Sequence, residues 1–406
     1  MKKKEIIFLL TFKSDDHGAL HYFNQNKELI KNFCKSFKNI YFVNSDYLTG
    51  NKKNKKNYKK LSSVIGKKIK LFTPKDFNSF DLFLKNKNPI IIDNTGRVFK
   101  YYRLLFYLKR KKIPLITISN LGSLQGGHGT FDYSYNFPIN RFLTKKFPQK
   151  IATILSLIGI FPKIDIYFTS NKSYNDAYKK SFFSFLSIYN DHILVKSKQY
   201  DDKLYINKKT LKEDIILLLD MDMDHYEFVR DIRKEYRNES GEISQDLLNE
   251  HYSKLSYLLD NLSKIFRKKI IISIHPTYSL NNIRNRFKKK YPVIKYKTKE
   301  LIKRSFLVLF FDSGAIIDAV VFKKKIICLR SKLTKGKKYS SDFYQKPLNL
   351  KAININKKLN IDKNSLTKEL NSKLKFYDKY LKKYAGSNLK ISGNKKIIET
   401  IKSRYF

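Results

Sequence analysis

The chain has 406 residues, 42% of them hydrophobic and 15% aromatic, with a formal net charge of +49. That is enough apolar material for two cores and excludes an intrinsically disordered composition. Lys far outnumbers Arg and there is no zinc-ligand spacing, Arg-rich arm or nucleic-acid motif, so nucleic acid is not an expected partner. The charge reflects either AT-rich codons (Lys, Asn, Ile, Phe and Tyr are abundant together) or an acidic lipid surface or phosphorylated substrate.

The N-terminus begins MKKKEIIFLL, but its apolar core is too short for a signal peptide, and residues 6–10 read as the first β-strand. A polar loop with Ser14, Asp15, Asp16, His17 and Gly18 follows, then a helix over 22–37 and a strand over 40–43 closed by Asn44-Ser45-Asp46. The Lys/Asn stretch 51–60 reads as a solvated loop. Strands are predicted over 89–93, 114–118 and 165–169, with a helix over 99–109. Gly122, Gly126, Gly127 and Gly129, with His128, depart from the spacing of a dinucleotide-binding turn. The run IATILSLIGIF, residues 151–161, falls short of the roughly 18 apolar residues of a membrane span and reads as a core helix or an interfacial segment. Cys34 and Cys328 sit in apolar surroundings and read as core thiols of a reducing compartment.

After about Asp191 the alternation restarts. Strands are expected over 214–219, 270–274, 306–311 and 325–329. The stretch 246–266 is an amphipathic helix, with Leu247, Leu248, Tyr252, Leu255, Leu258, Leu259, Leu262 and Phe266 at three- and four-residue steps. A short helix over 300–304, a helix over 315–322 and a Lys-rich helix over 365–384 complete the pattern. Strands separated by such helices imply parallel sheets covered on both faces. The fold class is therefore α/β, with two Rossmann-like domains, residues 1–190 and 191–385, facing a central cleft, and a polar tail over 386–406.

Three places carry chemistry. His275-Pro276 closes one strand and Asp312-Ser313-Gly314-Ala315 closes another, where doubly wound sheets bind ligands. An imidazole, the Ser313 hydroxyl and the free amides of a helix starting at Gly314 and Ala315 can hold a phosphate, although a plain turn and an ordinary N-cap have the same residues. Asp220, ending an apolar strand, faces the cleft on this reading. Asp220-Met221-Asp222-Met223-Asp224-His225 also matches a metal-binding DxD or the start of an Asp-based phosphatase, with Ser273 and Asp312 near that fold's later motifs. The plain reading of Asp222 and Asp224 is a solvated loop. Asp15, Asp16 and His17 follow the first strand and are the candidates for a general base.

The His-Pro strand, the Ser before an apolar helix and the basic strand start at Lys323–Ile327 resemble the C-terminal domain of HP-motif glycosyltransferases: bacterial sialyltransferases, polysialyltransferases and capsule Kdo transferases. Leu217–Asp220, His225, Phe228, Tyr252 and Lys198-Gln199-Tyr200-Asp201-Asp202 are similar to a family of surface carbohydrate biosynthesis proteins. The resemblance covers residues 196–332. It implies a GT-B arrangement with the acceptor on residues 1–190 and the nucleotide sugar on residues 191–385, a CMP-activated donor whose phosphate meets His275 and Ser313, and a glycan or lipid-linked glycan acceptor. It further implies a cytoplasmic enzyme of surface polysaccharide assembly; with the imidazole and helix amides neutralising the leaving phosphate, neither cofactor nor metal is expected, and the basic surface suits peripheral contact with the inner membrane. Ser313-Gly314 stands where that group carries two hydroxyl residues. Two alternatives stay open: a magnesium-dependent phosphatase built on Asp220 and Asp222, and a non-catalytic scaffold of the same fold.

Overall fold

The computed structural model describes residues 4–10, 26–37, 39–49, 69–85, 87–94, 101–119, 151, 154–172, 189–204, 213–224, 236, 242–275, 278–334, 340–357 and 361–406. The chain divides into two compact units, residues 1–202 with 383–406, and residues 203–382.

In the first unit the described elements are β1 (Lys4–Leu10), α1 (Lys27–Ser36), β2 (Ile40–Asn44), β3 (Ile69–Phe72), α2 (Phe77–Lys85), β4 (Asn88–Asp93), α3 (Tyr102–Arg110), β5 (Leu115–Ser119), β6 (Ile164–Thr169), β7 (Tyr189–Leu194) and α4 (Lys198–Leu204). The strands form one parallel sheet of order β3-β2-β1-β4-β5-β6-β7. The unbroken apolar run of β1 follows from burial on both faces. Ile6, Phe8 and Leu10 pack into one cluster with Phe33, Phe42 and Ile92, while Ile7 and Leu9 pack into another with Phe80, Tyr101 and Leu104.

The second unit holds β8 (Ile215–Asp220), α5 (Gln245–Phe266), β9 (Lys269–Ile274), α6 (Leu280–Arg286), β10 (Val293–Ile294), α7 (Thr298–Arg304), β11 (Ser305–Phe310), α8 (Ile316–Val321), β12 (Lys325–Arg330), α9 (Ser340–Leu348), β13 (Lys351–Asn354) and α10 (Lys363–Lys373). Its sheet is also parallel, of order β10-β9-β8-β11-β12-β13. The predicted stripe of α5 is its buried face. Leu248, Tyr252, Leu255, Leu258, Leu259 and Leu262 meet Ile216 and Leu218 of β8 and Ile270 and Ile272 of β9. α11 (Lys375–Tyr384) and α12 (Gly393–Tyr405) follow.

Both sheets run outward from their first strand and reverse beside it, a Rossmann-type order that opens a crevice at the carboxyl ends of the strands on either side of the reversal. The expected α/β class with two parallel-sheet domains is therefore observed.

Several expectations change. Residues 386–406 read as a polar tail in the sequence, but α12 buries Ile397, Ile398 and Ile401 against Phe33, Phe37 and Val195 of the first unit. Its period is masked by the lysines of the exposed face and by the buried polar Asn394. Tyr189–Leu194 closes the first sheet, although its polar sequence YNDHIL carries no strand signal. The helix expected over 365–384 is two, joined at Leu374. Cys328 is buried, but Cys34 is only partly so. In the 151–161 stretch, Leu155 and Leu157 pack inward while Ile154, Ile158 and Ile160 face solvent.

Candidate functional site

The second sheet brings three of the predicted features together. β8 places five buried apolar residues in line and ends on Asp220. Its register pairs Asp220 with Ile274 of β9 and Leu219 with Phe310 of β11. Phe311 is thus level with Asp220, and His275 on one side and Asp312-Ser313 on the other are the next residues beyond that level, at the ends of strands spaced about 4.8 Å from β8. This is the reversal point of the sheet, between β8 and β11.

Asp220 is 5% exposed, and neither carboxylate oxygen has a hydrogen-bond partner among the described residues. Burial, and after it the charge of Asp222, pushes its pKa up to about 8, against a smaller pull from the Met221 amide. A carboxyl in that state is largely protonated at neutral pH and can donate a hydrogen bond to an anion. The expected place of Asp222 is a solvated loop, yet it is buried, and one carboxylate oxygen accepts the Asp224 amide at 3.3 Å. Asp224 is held by Arg286 at 2.8 Å. The Tyr252 hydroxyl, from the middle of α5, accepts the Met223 amide at 3.4 Å. Full burial raises the Tyr252 pKa well above the ordinary value, with the Asp220 and Asp222 charges adding to it. The Asp220–Asp224 turn is therefore folded onto α5 and α6.

His275 is exposed, its ring centroid 5.4 Å from that of Tyr278, and its carbonyl accepts the Tyr278 amide at 3.0 Å. Pro276 lies outside the described residues. The Ser313 hydroxyl accepts the Ala315 amide at 3.3 Å and its carbonyl accepts the Ile316 amide, so Ser313 folds the turn just before α8, whose N-cap is Ala315, and keeps its own proton to donate. Gly314 is exposed, and a Cβ at that position would meet only open space, so the loop front is unobstructed. Of the three lysines at Lys323–Lys325, Lys324 is buried and paired with Glu213 at 2.7 Å.

One residue here escapes a reading of the sequence alone. His251 lies on the buried face of α5, 5.4 Å from the Phe311 ring, and neither ring nitrogen has a partner among the described residues. Burial pushes its pKa down to about 3. The three- and four-residue spacing fits it to the core stripe, and only the contact with Phe311, just past β11, sets it behind the Ser313 loop.

The phosphatase and DxD alternatives gain no support from this geometry. Strand alternation puts Ser273 on the opposite sheet face from Ile272 and Ile274, and its hydroxyl bonds Thr298 at 2.7 Å. Among the described residues no three His, Cys, Asp or Glu side chains are grouped to hold a metal.

Asp15, Asp16 and His17 lie outside the described residues, as do the Gly122–Gly129 loop and His225 and Phe228. The carboxyl edge of the first sheet carries other buried polar groups. Ser45 donates to the Leu10 carbonyl at 2.9 Å, and Tyr101 donates to Asp46 at 2.9 Å beside buried Asp93. The Lys198–Asp202 segment has an architectural role. Asp201 accepts the Gly393 and Asn394 amides at 3.1 and 2.7 Å and so caps α12, while burial raises its pKa.

No protein-family model matches the chain, and no curated protein matches it in sequence. Solved structures do resemble it. A wall teichoic acid polymerase, TagF (H548A), aligns at TM-score 0.54 and 12% identity over 98% of this chain and 88% of its own. UDP-GlcNAc 2-epimerase from Methanocaldococcus jannaschii aligns at 0.53 and 13% identity over 99% and 100%. The S. aureus MnaA–UDP co-structure aligns at 0.52 and 12% identity over 100% and 97%. The two parallel α/β units are those of the GT-B fold. At these identities the likeness establishes the fold and does not extend to activity.

Proposed function

We propose that the chain is a nucleotide-sugar glycosyltransferase of bacterial surface polysaccharide assembly, with the donor held by the second unit. The observation that carries this reading is the register that sets Asp220, His275 and the Ser313 loop at the carboxyl ends of three adjacent strands, at the sheet's reversal point. A protonated carboxyl, an imidazole, a hydroxyl and the open loop at Gly314 and Ala315 are suited to a diphosphate or a CMP phosphate, and neutralise the leaving group without a metal. The resemblance to HP-motif transferases favours CMP as the nucleotide. Asp15, Asp16 or His17 would take the acceptor hydroxyl's proton, the acceptor being a glycan or lipid-linked glycan at the cytoplasmic face of the inner membrane.

A second reading is a nucleotide-sugar epimerase, favoured by likeness to structures described as UDP-GlcNAc 2-epimerase and as a UDP co-structure. Thermal unfolding of the purified protein with CMP, CDP, UDP and UDP-GlcNAc separates them. Ligand at about 100 times its Kd adds about 2.7 kcal/mol to stability. A shift with CMP or CDP, abolished by His275→Ala, supports the transferase. A shift with UDP-GlcNAc and UDP alone makes the donor a UDP sugar, and epimerisation of UDP-GlcNAc without an acceptor then moves the assignment to the epimerase. No shift with any nucleotide overturns both. His275 is exposed, so its loss leaves the fold intact.

A further inference from the structure

The 154–161 segment of the first unit carries an apolar surface that no described element covers. Residues 154–157 form a helical turn. The Ile158 amide bonds the Ile154 carbonyl at 3.0 Å, and the Phe161 amide closes the turn on the Leu155 carbonyl at 2.9 Å. Gly159, at φ +81°, takes the left-handed conformation that reverses the chain. The inward side of this turn is anchored, since Leu155 and Phe161 pack against Leu105 of α3. The outward side presents Ile154, Ile158 and Ile160 at 55, 63 and 43% exposure, with Phe106 of α3 at 57%.

The rim of that surface is cationic. Arg103, Lys109, Arg110 and Lys112 are all exposed on α3 and just after it. The acidic groups beside them are already engaged: Asp81 pairs with Lys111 at 2.7 Å, and Asp165 accepts the Leu115 amide at 2.8 Å. A second copy docked face to face would set two cationic rims against each other. An anionic bilayer takes both parts, with branched apolar side chains entering the acyl boundary and Lys and Arg meeting the headgroups.

We infer that Ile154, Ile158, Ile160 and Phe106, with the Lys109–Lys112 rim, form a docking surface for an anionic lipid bilayer. This deepens the reading above, on which it rests for placing the enzyme at a membrane. The turn leads into β6 and the rim into β5, so the surface lies at the amino-terminal edge of the first sheet. The carboxyl edge is left free for ligands.

The test is co-sedimentation of the full chain with vesicles of phosphatidylcholine alone and of phosphatidylcholine with phosphatidylglycerol. Wild type is compared with Ile154→Ser/Ile158→Ser/Ile160→Ser and with Lys109→Glu/Arg110→Glu/Lys112→Glu. All six side chains are exposed, so unchanged melting checks that the variants fold. Wild type is expected to bind only the anionic vesicles, and each variant to lose about tenfold or more in partitioning. The proposal is overturned if wild type does not sediment, if binding survives the serine substitutions, or if the patch instead drives a dimer that those substitutions dissolve. Nucleotide-induced melting shifts in the same variants report separately on the donor site, so the two readings fail independently.

Discussion

Replacing Asp220 by Asn should flatten the pH dependence of folding stability, by an amount the site itself sets. The carboxyl is ordinary in the unfolded chain, near 3.8, and is pushed up to about 8 when folded. Between those values the folded state holds a proton that the unfolded state has released. Stability therefore falls as pH rises through that window, by about 1.4 kcal/mol per pH unit. Integrated from pH 5 to pH 8, the wild-type loss from this one group is on the order of 3–4 kcal/mol. The Asn variant has no proton to release, so its loss over the same interval is smaller by that amount. Urea unfolding of both proteins at pH 5, 6, 7 and 8 reads the difference directly. Parallel profiles for the two proteins would refute the argument, because they would mean that Asp220 is solvated or paired in the folded protein. A nucleotide phosphate that accepts a hydrogen bond from Asp220 should raise its pKa further, so adding a bound nucleotide moves the wild-type profile and leaves the Asn profile in place.

Three more outcomes are expected. His251→Phe keeps the contacts with Tyr252 and Phe311 but removes an imidazole held neutral by burial down to about pH 3. Stability that wild type loses as pH falls below the ordinary His value of 6.5 should be retained, a difference of about 3 kcal/mol between pH 7 and pH 4 in urea unfolding. Gly393→Ala would set a Cβ 2.0 Å from the Lys196 carbonyl oxygen, a backbone atom with no room to retreat, and should cost about 3 kcal/mol in thermal unfolding. Asp201→Ala strips the acceptor from two amides at the start of α12 and should cost about 2 kcal/mol, with hydrogen-exchange protection lost first in α12.

The parts of the fold that could be read in the chain are those where one residue pattern has one physical outcome. β1 and β8 are unbroken apolar runs, which only a strand covered on both faces can bury, and α5 shows its buried stripe residue by residue. β7 could not be read, because its polar residues are satisfied from far away: Asp191 pairs with Arg404 of α12. In the site, Asp220 and Ser313 were legible as strand-end polar residues. The burial of Asp222 was not, since it depends on α5 and α6 folding over the turn. Asp201 shows the reverse case. Its segment has the look of a functional motif, and its partners are backbone amides nearly two hundred residues away in sequence.

The docking of α12 gives the chain an order of assembly. The first unit is discontinuous: its seven-stranded sheet is complete by Leu194, yet part of its core comes from Ile397, Ile398 and Ile401. The outgoing and returning passages are tied together where the Ser197 amide bonds the Ala385 carbonyl at 2.9 Å. During synthesis the second unit emerges whole before the first can close. Until then Phe33, Phe37 and Val195 lack their covering helix, and the nascent chain carries an open apolar face that a chaperone or a neighbouring chain can occupy. Fragments cut near residue 200 would keep every strand of the first sheet and still present that face.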